Sequence, residues 1–354
     1  MLALLTLQIN KYFTLDSELK ATIKDVASLA GVSVKTVSRV INNEPNVRPA
    51  MQDKVNKAVA ELNFKRNPLA RGLRGQNSFI ITLLYSNPNP SYVLELQNGA
   101  IEQANADGYN LQILPCDHTN ENLVQNIESI ITHSSQDGFL LTHPLCDNEE
   151  IIALLDKNNI PFVRISPFHK EHSSPYVLSD DHLAAYEMTK HLISLGHTDI
   201  AIIKGHPDFG ATHKRYEGFL QAMDEMNIKV DEDLVKQGLF TFESGETCAR
   251  QLLTQDHKPT AIFASNDYMA AAVLKVAAQM HVNIPANLSV VGYDDAPVSK
   301  QIWPSLTTVK QPIYDIAKHA VQKLIRHIKK QEFNDIESKF QCKLVLRNST
   351  SPKM

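Results

Sequence analysis

The side chains of this 354-residue chain that could do covalent chemistry do not fall at catalytic spacings. Acyl transfer, metal-assisted hydrolysis and phosphate binding each need fixed spacings, because one elbow, helix face or loop must aim the groups at a common point. The chain has no GxSxG, no HExxH, no glycine-rich phosphate loop and no Rossmann fingerprint. His169-Lys-Glu-His172 carries two imidazoles on a proline-flanked stretch, a setting that suits a solvated turn better than a metal site. Cys116, Cys146, Cys248 and Cys342 lie far apart with no CxxC or CxxH spacing, which points to reduced structural thiols in a cytoplasm. An enzyme is not expected, nor a cofactor, nor a bound metal.

What the residues do offer is uneven charge. From Thr22 to Gln76 there are ten Lys/Arg against four Asp/Glu, a local +6, within a chain of net charge −4. From Asn77 to the end the count is 23 against 33, a local −10. A basic head on an acidic body is expected when only the head meets phosphate. With 43% apolar and 21% charged residues the chain reads as a soluble globular protein of two or three domains. No apolar run approaches the roughly 18 residues of a membrane-spanning helix, so no membrane partner is expected. Residues 1–20 hold the apolar stretch Leu2–Leu7 but no basic n-region or small-residue cleavage site, and do not read as a signal peptide. They read either as a disordered arm or as a stretch upstream of a true start nearer Ala21.

The head should position its charges on three short helices. Thr22 with Asp25 makes a capping-box start; Ile23, Val26, Ala27 and Ala30 share one face; Gly31 stops the helix. Ser33 caps a second helix running through Ile41, with Val37, Val40 and Ile41 inward. A third runs from Pro49 to about Leu62 and buries Val55, Val59 and Leu62. Helix, short glycine-containing turn, helix and supporting helix is the helix-turn-helix pattern, although a generic three-helix bundle would share the same helices.

After the short segment Asn67–Gly75 the pattern changes to alternating βα units. Strands are expected at Phe79–Leu84, Leu111–Leu114, Gly138–Leu141, Phe162–Ile165, Ile200–Ile203, Ala261–Ala264 and Ser289–Gly292. Amphipathic helices lie between most of them, among them Val93–Asp107, Leu183–Leu195, Lys214–Met226 and Asp267–Gln279. Apolar strands alternating with helices mean parallel sheet covered on both faces, and the stretch is long enough for two doubly wound sheets. Ligands of such sheets sit beyond the carboxyl ends of the strands, so two facing lobes offer one cleft.

The run from Thr22 to Asn42, TIKDVASLAGVSVKTVSRVIN, resembles the opening of the LacI/GalR (lactose-repressor) family. The likeness continues in order through Asn67–Leu73, Leu195-Gly-His197, Arg215-Tyr-Glu-Gly-Phe219, Ala264-Ser-Asn-Asp267, Val291-Gly-Tyr-Asp294 and Leu306-Thr-Thr308. The resemblance implies an α-helical helix-turn-helix head at 21–66, a hinge at 67–77 and an α/β effector domain at 78–354 shaped like two-lobed periplasmic binding proteins. Its first lobe would comprise about 78–179 and 312–339, its second about 181–310 and 341–354. It further implies a repressor, a homodimer or higher assembly on near-palindromic operator DNA, controlled by a sugar or sugar derivative of a carbohydrate-utilisation operon, in the cytoplasm and on the nucleoid.

By position in the motif, Val34, Lys35 and Arg39 would face base edges. The chemistry agrees, since Arg or Lys can donate to guanine O6 and N7 and Val can touch a thymine methyl. Thr36, Ser38 and Asn42 would hold phosphates, which set register. Leu73 matches the hinge leucine that the family wedges into the minor groove. Two positions depart from the pattern. Gly72 replaces a small polar residue and costs about 0.5–1 kcal/mol of helix stability against alanine. Arg48 stands where the family puts a Ser or Thr cap, and there it opposes the helix dipole. It reads either as a frayed start or as a phosphate contact.

Positions matching the family's pocket supply polar forks and an aromatic face. Asn87 and Tyr92 come from the first lobe, and Arg215, Phe240, Asn266 and Asp294 from the second. Arg164 is expected at a strand end facing the cleft, as a weaker candidate, and Asp180 at the crossover between lobes, where it reads as a hinge residue instead. For Arg215 and Asp294 the competing reading is an interlobe salt bridge, and for Phe240 a core role. The loop Gly205–His213 has no arginine, which favours a neutral sugar over an anionic base or phosphate. Two rivals fit less well: a periplasmic sugar-binding protein would need a signal peptide and no basic head, and a non-specific nucleoid protein would not need the acidic body.

Overall fold

The computed structural model describes residues 21–41, 47–64 and 78–353. The chain divides into two units, residues 1–76 and 77–354.

In the first unit the capping signals act as their chemistry predicts. The Thr22 backbone N–H donates to Asp25 Oδ2 at 2.7 Å, and Asp25 N–H donates back to Thr22 Oγ1 at 3.4 Å, opening α1 (Ile23–Ala30). Gly31 ends it with φ +63°, a left-handed conformation that costs glycine nothing. Then come α2 (Val34–Ile41) and α3 (Pro49–Glu61), which bury Val26, Val37, Val40 and Val55 in a shared small core.

The second unit contains two parallel sheets. β1 (Ile80–Tyr85), β2 (Asn110–Pro115), β3 (Gly138–Leu141), β4 (Phe162–Ile165), β5 (Tyr176–Ser179) and β11 (Lys339–Phe340) form a six-stranded sheet in the order β11-β5-β4-β3-β1-β2. Its faces are covered by α4 (Pro90–Ala106), α5 (Leu123–His133), α6 (Glu149–Lys157) and α12 (Ile313–Ile328), which place Leu96, Ile127, Ile151 and Leu324 in its two cores. β6 (Ile200–Lys204), β7 (Val235–Gln237), β8 (Ala261–Ala264) and β9 (Ser289–Val291) form the second sheet, in the order β7-β6-β8-β9. Around it lie α7 (Asp181–Ser194), α8 (Gly210–Glu225), α9 (Phe242–Thr254) and α10 (Asp267–Gln279). After the short α11 (Val298–Gln301), β10 (Thr308–Lys310) pairs antiparallel with β12 (Lys343–Val345). The chain passes between the sheets at 179–181, 310–313 and 340–343, so each lobe is assembled from separated stretches. No helix among the described residues is long and apolar enough to cross a membrane.

Several elements begin elsewhere than periodicity suggests. β1 starts one residue late because Phe79 has φ +57°, where Asp137 accepts both the Ser78 and the Phe79 amide. α4 starts at Pro90, not Val93, because Asn89 caps it and Pro suits the first turn. α7 and α8 likewise begin before their apolar stripes, at Asp181 and Gly210.

Candidate functional site: a helix-turn-helix face and an interlobe cleft

On the head, Ser33 Oγ accepts the Thr36 amide at 3.1 Å and so opens α2 with its polar flank outward. Val37 and Val40 are buried, Lys35 is exposed, and Thr36, Ser38 and Arg39 are half-exposed. Lys35 and Arg39 stand four apart, so they share one helix face. Val34 is half-buried against the head's core. Arg48 caps α3 with no side-chain hydrogen bond. Asn42, Asn67–Arg74 and hence Leu73 lie outside the described residues.

In the second unit, a cleft of about 430 Å³, counted to its mouth, lies between the lobes and is lined by thirteen residues. Asn87, Tyr92, Arg215, Phe240, Asn266 and Asp294 are all among them. From the first lobe, Asn87 Oδ1 accepts the Asn89 amide at 2.8 Å, and Asn89 Oδ1 caps α4. Asn89 Nδ2 then crosses the cleft to donate to Asp294 Oδ2 at 2.8 Å. Tyr92 is half-buried, and burial followed by nearby carboxylates raises its hydroxyl pKa.

From the second lobe comes Arg215, 4% exposed, on the first turns of α8. Its Nε donates to Asp181 Oδ1 at 2.8 Å and its Nη1 to the Ser265 carbonyl at 2.5 Å. Its guanidinium carbon lies 3.6 Å from the centroid of the Tyr293 ring and 5.7 Å from that of Phe240. Burial opposes the charge, but Asp181, Tyr293 and Asp294 outweigh it and hold the guanidinium protonated. Asp294 also accepts from Gln311 Nε2 at 2.7 Å, with Arg215 Nη1 4.0 Å away. Burial pushes its carboxyl up to about 6 despite these partners. His143 is buried in the cleft wall, and burial lowers its imidazole pKa against the pull of Asp147 and Asp181.

Phe240 and Asn266 are coupled. Asn266 Oδ1 caps α10 through the Met269 amide at 2.9 Å, while its Nδ2 donates to the Phe240 carbonyl at 2.8 Å. Phe240, Ser166 and Asp294 have φ of 63°, 56° and 113°, so three lining residues hold backbone that glycine adopts more easily. The ring of Phe240 is seated against Gly205, where a Cβ would lie 1.9 Å from the ring. Only glycine fits there without displacing the aromatic face.

One expectation needs correction. Arg164 does not line the cleft. It is 1% exposed, and its guanidinium donates to Ser174 Oγ at 2.8 Å, the His169 carbonyl at 2.8 Å and the His172 carbonyl at 3.4 Å. A buried guanidinium needs several acceptors, and the loop after β4 supplies them, so Arg164 organises that loop. Asp180 does lie at the crossover, where it caps α7 and pairs with Lys339, while its neighbour Asp181 enters the cleft. Asn89, His143, Ser166, Asp181, Phe209, Ala211 and Gln311 line the cleft without having been singled out. Of these, Asn89 carried a legible signal, an Asn-Pro helix start.

Residues 22–67 match the model of the bacterial regulatory proteins of the lacI family, and residues 189–350 that of a periplasmic binding protein-like domain. The transcriptional repressor PurR of Vibrio campbellii is 33% identical over 93% of this chain and 98% of its own length. This chain belongs to the lacI family. It is therefore a DNA-binding transcriptional regulator under effector control, and not an enzyme. The ribose operon repressor of Haemophilus influenzae is 32% identical, over 93% of this chain and 98% of that one. Among solved structures, the lac repressor dimer bound to operator and the anti-inducer ONPF superposes with a TM-score of 0.74 at 25% identity, covering 94% of this chain and 99% of that one.

Proposed function

We propose that this lacI-family regulator is a repressor that acts as a homodimer on a near-palindromic operator, on the nucleoid, and responds to a neutral sugar held between its lobes. One observation carries the ligand class: the cleft holds two carboxylates, Asp181 and Asp294, against one guanidinium, Arg215, beside two aromatic faces, Phe209 and Phe240. An anionic ligand would meet net negative charge in a buried site, whereas hydroxyls can both donate to the carboxylates and accept from the amides. Arg215 uses Nε and Nη1 on the protein, which leaves Nη2 for a ligand oxygen. The ribose operon repressor among its relatives supports the same class.

On the DNA side, Lys35 and Arg39 read base edges with Val34 beside them. Thr36, Ser38 and Asn42 hold phosphates, and Leu73 enters the minor groove. The test is a thermal-shift screen of pentoses, hexoses, disaccharides and purine bases against the full chain, followed by calorimetric titration. A sugar that raises Tm and changes operator affinity supports the reading. A response to purine bases alone rejects it.

A further inference from the structure

The second lobe's loop ahead of α8 meets the first lobe's loop after β2 at the mouth of the cleft. Here His118 of the first lobe faces His206 and Asp208 of the second. His118 Nε2 lies 3.5 Å from Asp208 Oδ2, and His206 Nδ1 lies 3.8 Å from the same oxygen. One donor atom from each of the three residues lies within 4.8 Å of the other two. The His118 ring is held from behind, its Nδ1 hydrogen-bonded to Ser86 Oγ at 2.8 Å. Its Nε2 is shut off from solvent and makes no hydrogen bond. An imidazole oriented by a partner on one nitrogen, with the other turned to a histidine and a carboxylate, is the arrangement of a metal ligand.

We infer that His118, His206 and Asp208 form a binding site for a borderline-soft divalent cation of the zinc type, which ties the two lobes together at the mouth of the cleft. Two imidazoles and one carboxylate suit such an ion, with water completing the tetrahedron. Ligand bonds of about 2.0–2.2 Å require the three donors to draw inward by roughly an ångström. Asp208, whose side chain is 57% exposed, has the freedom to do so. The plain alternative is a histidine–aspartate ion pair across the cleft, which needs neither His206 nor a metal.

Position gives the site its consequence. Phe209, 3% exposed, has its ring 6.0 Å from that of His118, 5.4 Å from that of His206 and 5.7 Å from that of Phe240. It forms the wall between this cluster and the effector cleft, so a cation here and a ligand there favour the same approach of the lobes.

The test uses the full chain, stripped with a chelator and free of sugar, so that it stands apart from the proposed effector. Calorimetric titration with Zn²⁺ should find one site per chain that is tighter than the background of scattered histidines. His118→Ala and His206→Ala, from opposite lobes, should each weaken it at least about tenfold, the scale of disrupting a metal site. Asp208→Asn, at an exposed position that does not endanger folding, should weaken it as well. Co²⁺ should give visible tetrahedral absorption bands that these variants lose. Equal Zn²⁺ affinity in wild type and all three variants overturns the inference. So does a tight site that survives His118→Ala, because the cation would then bridge nothing.

Discussion

Asn89 and Asp294 stand 205 positions apart and meet across the cleft, the amide Nδ2 of one donating to Oδ2 of the other at 2.8 Å. The opposite side of the same amide caps α4, so one residue anchors the first lobe's helix and reaches the second lobe's carboxylate. A second interlobe bond runs beside it, from Ser91 Oγ to Tyr268 Oη at 3.0 Å. Closure of the lobes thus has a defined hydrogen-bonded form around the site where an effector would sit.

Asn89→Asp separates the two roles. Aspartate caps a helix as well as asparagine, so the start of α4 is kept. Asn89 is 3% exposed, however, and an uncompensated carboxylate there should cost on the order of 3–5 kcal/mol of stability at neutral pH. The donor to Asp294 is replaced by a second carboxylate, which repels it. Effector affinity should fall by at least about tenfold, while operator affinity without effector persists. Calorimetry and chemical denaturation on the same variant check both halves, and unchanged effector affinity would remove Asn89 from the closing contact.

Arg215→Ala should cost more than ligand binding. The substitution leaves Asp181 and Asp294 buried without their counter-charge, a change worth about 3–5 kcal/mol where one partner of a buried pair is lost. Urea unfolding should register that loss along with the loss of effector binding. A variant that stays as stable as wild type would mean the carboxylates are solvated or protonated instead of paired.

The helix-turn-helix and six of the thirteen cleft residues were legible because they rest on local signals. Thr22, Gly31 and Ser33 punctuate helices by their own hydrogen bonds and φ, and Arg215 and Asp294 sit in motifs. Asp181 and Gln311 were not legible because they reach the cleft at the crossovers between lobes, and Phe209 because it sits in the loop ahead of α8, where no periodic pattern fixes which side chain turns inward. Arg164 shows the reverse case. Its place at the end of an apolar strand was readable, but which acceptors would surround its guanidinium depended on how the loop five to ten residues further along the chain folds back onto it.

The α2 face can be tested once an operator has been selected from random DNA. Arg39→Ala should lose about 1–3 kcal/mol of discrimination at one base pair while leaving the fold and effector binding in place. Fluorescence anisotropy on operator and on scrambled DNA distinguishes the roles. Equal weakening on both would make Arg39 a phosphate contact.

The carboxyl of Asp294 supplies a pH test in which the sign can be fixed in advance. Its value in the folded chain, about 6, lies above the ordinary 3.8, with burial as the largest cause. The folded state therefore holds the proton more tightly than the unfolded state. The resulting stability is fully present below about pH 4 and is lost as pH rises through 6, on the order of 3 kcal/mol for a shift of this size. Other groups titrate over the same range, so the quantity to measure is the difference in unfolding free energy between wild type and Asp294→Asn. That difference should move in favour of the asparagine variant between pH 4 and pH 7 and then level off. Effector binding should run the other way. A sugar hydroxyl donates to the ionised carboxylate, so wild-type affinity should fall as pH drops from 7 to 5, with proton uptake by the free site. Calorimetric titrations at those two pH values, in buffers of different ionisation enthalpy, read both the affinity and the proton count. An effector affinity that is flat across this range in wild type would place the ligand's hydroxyls away from Asp294.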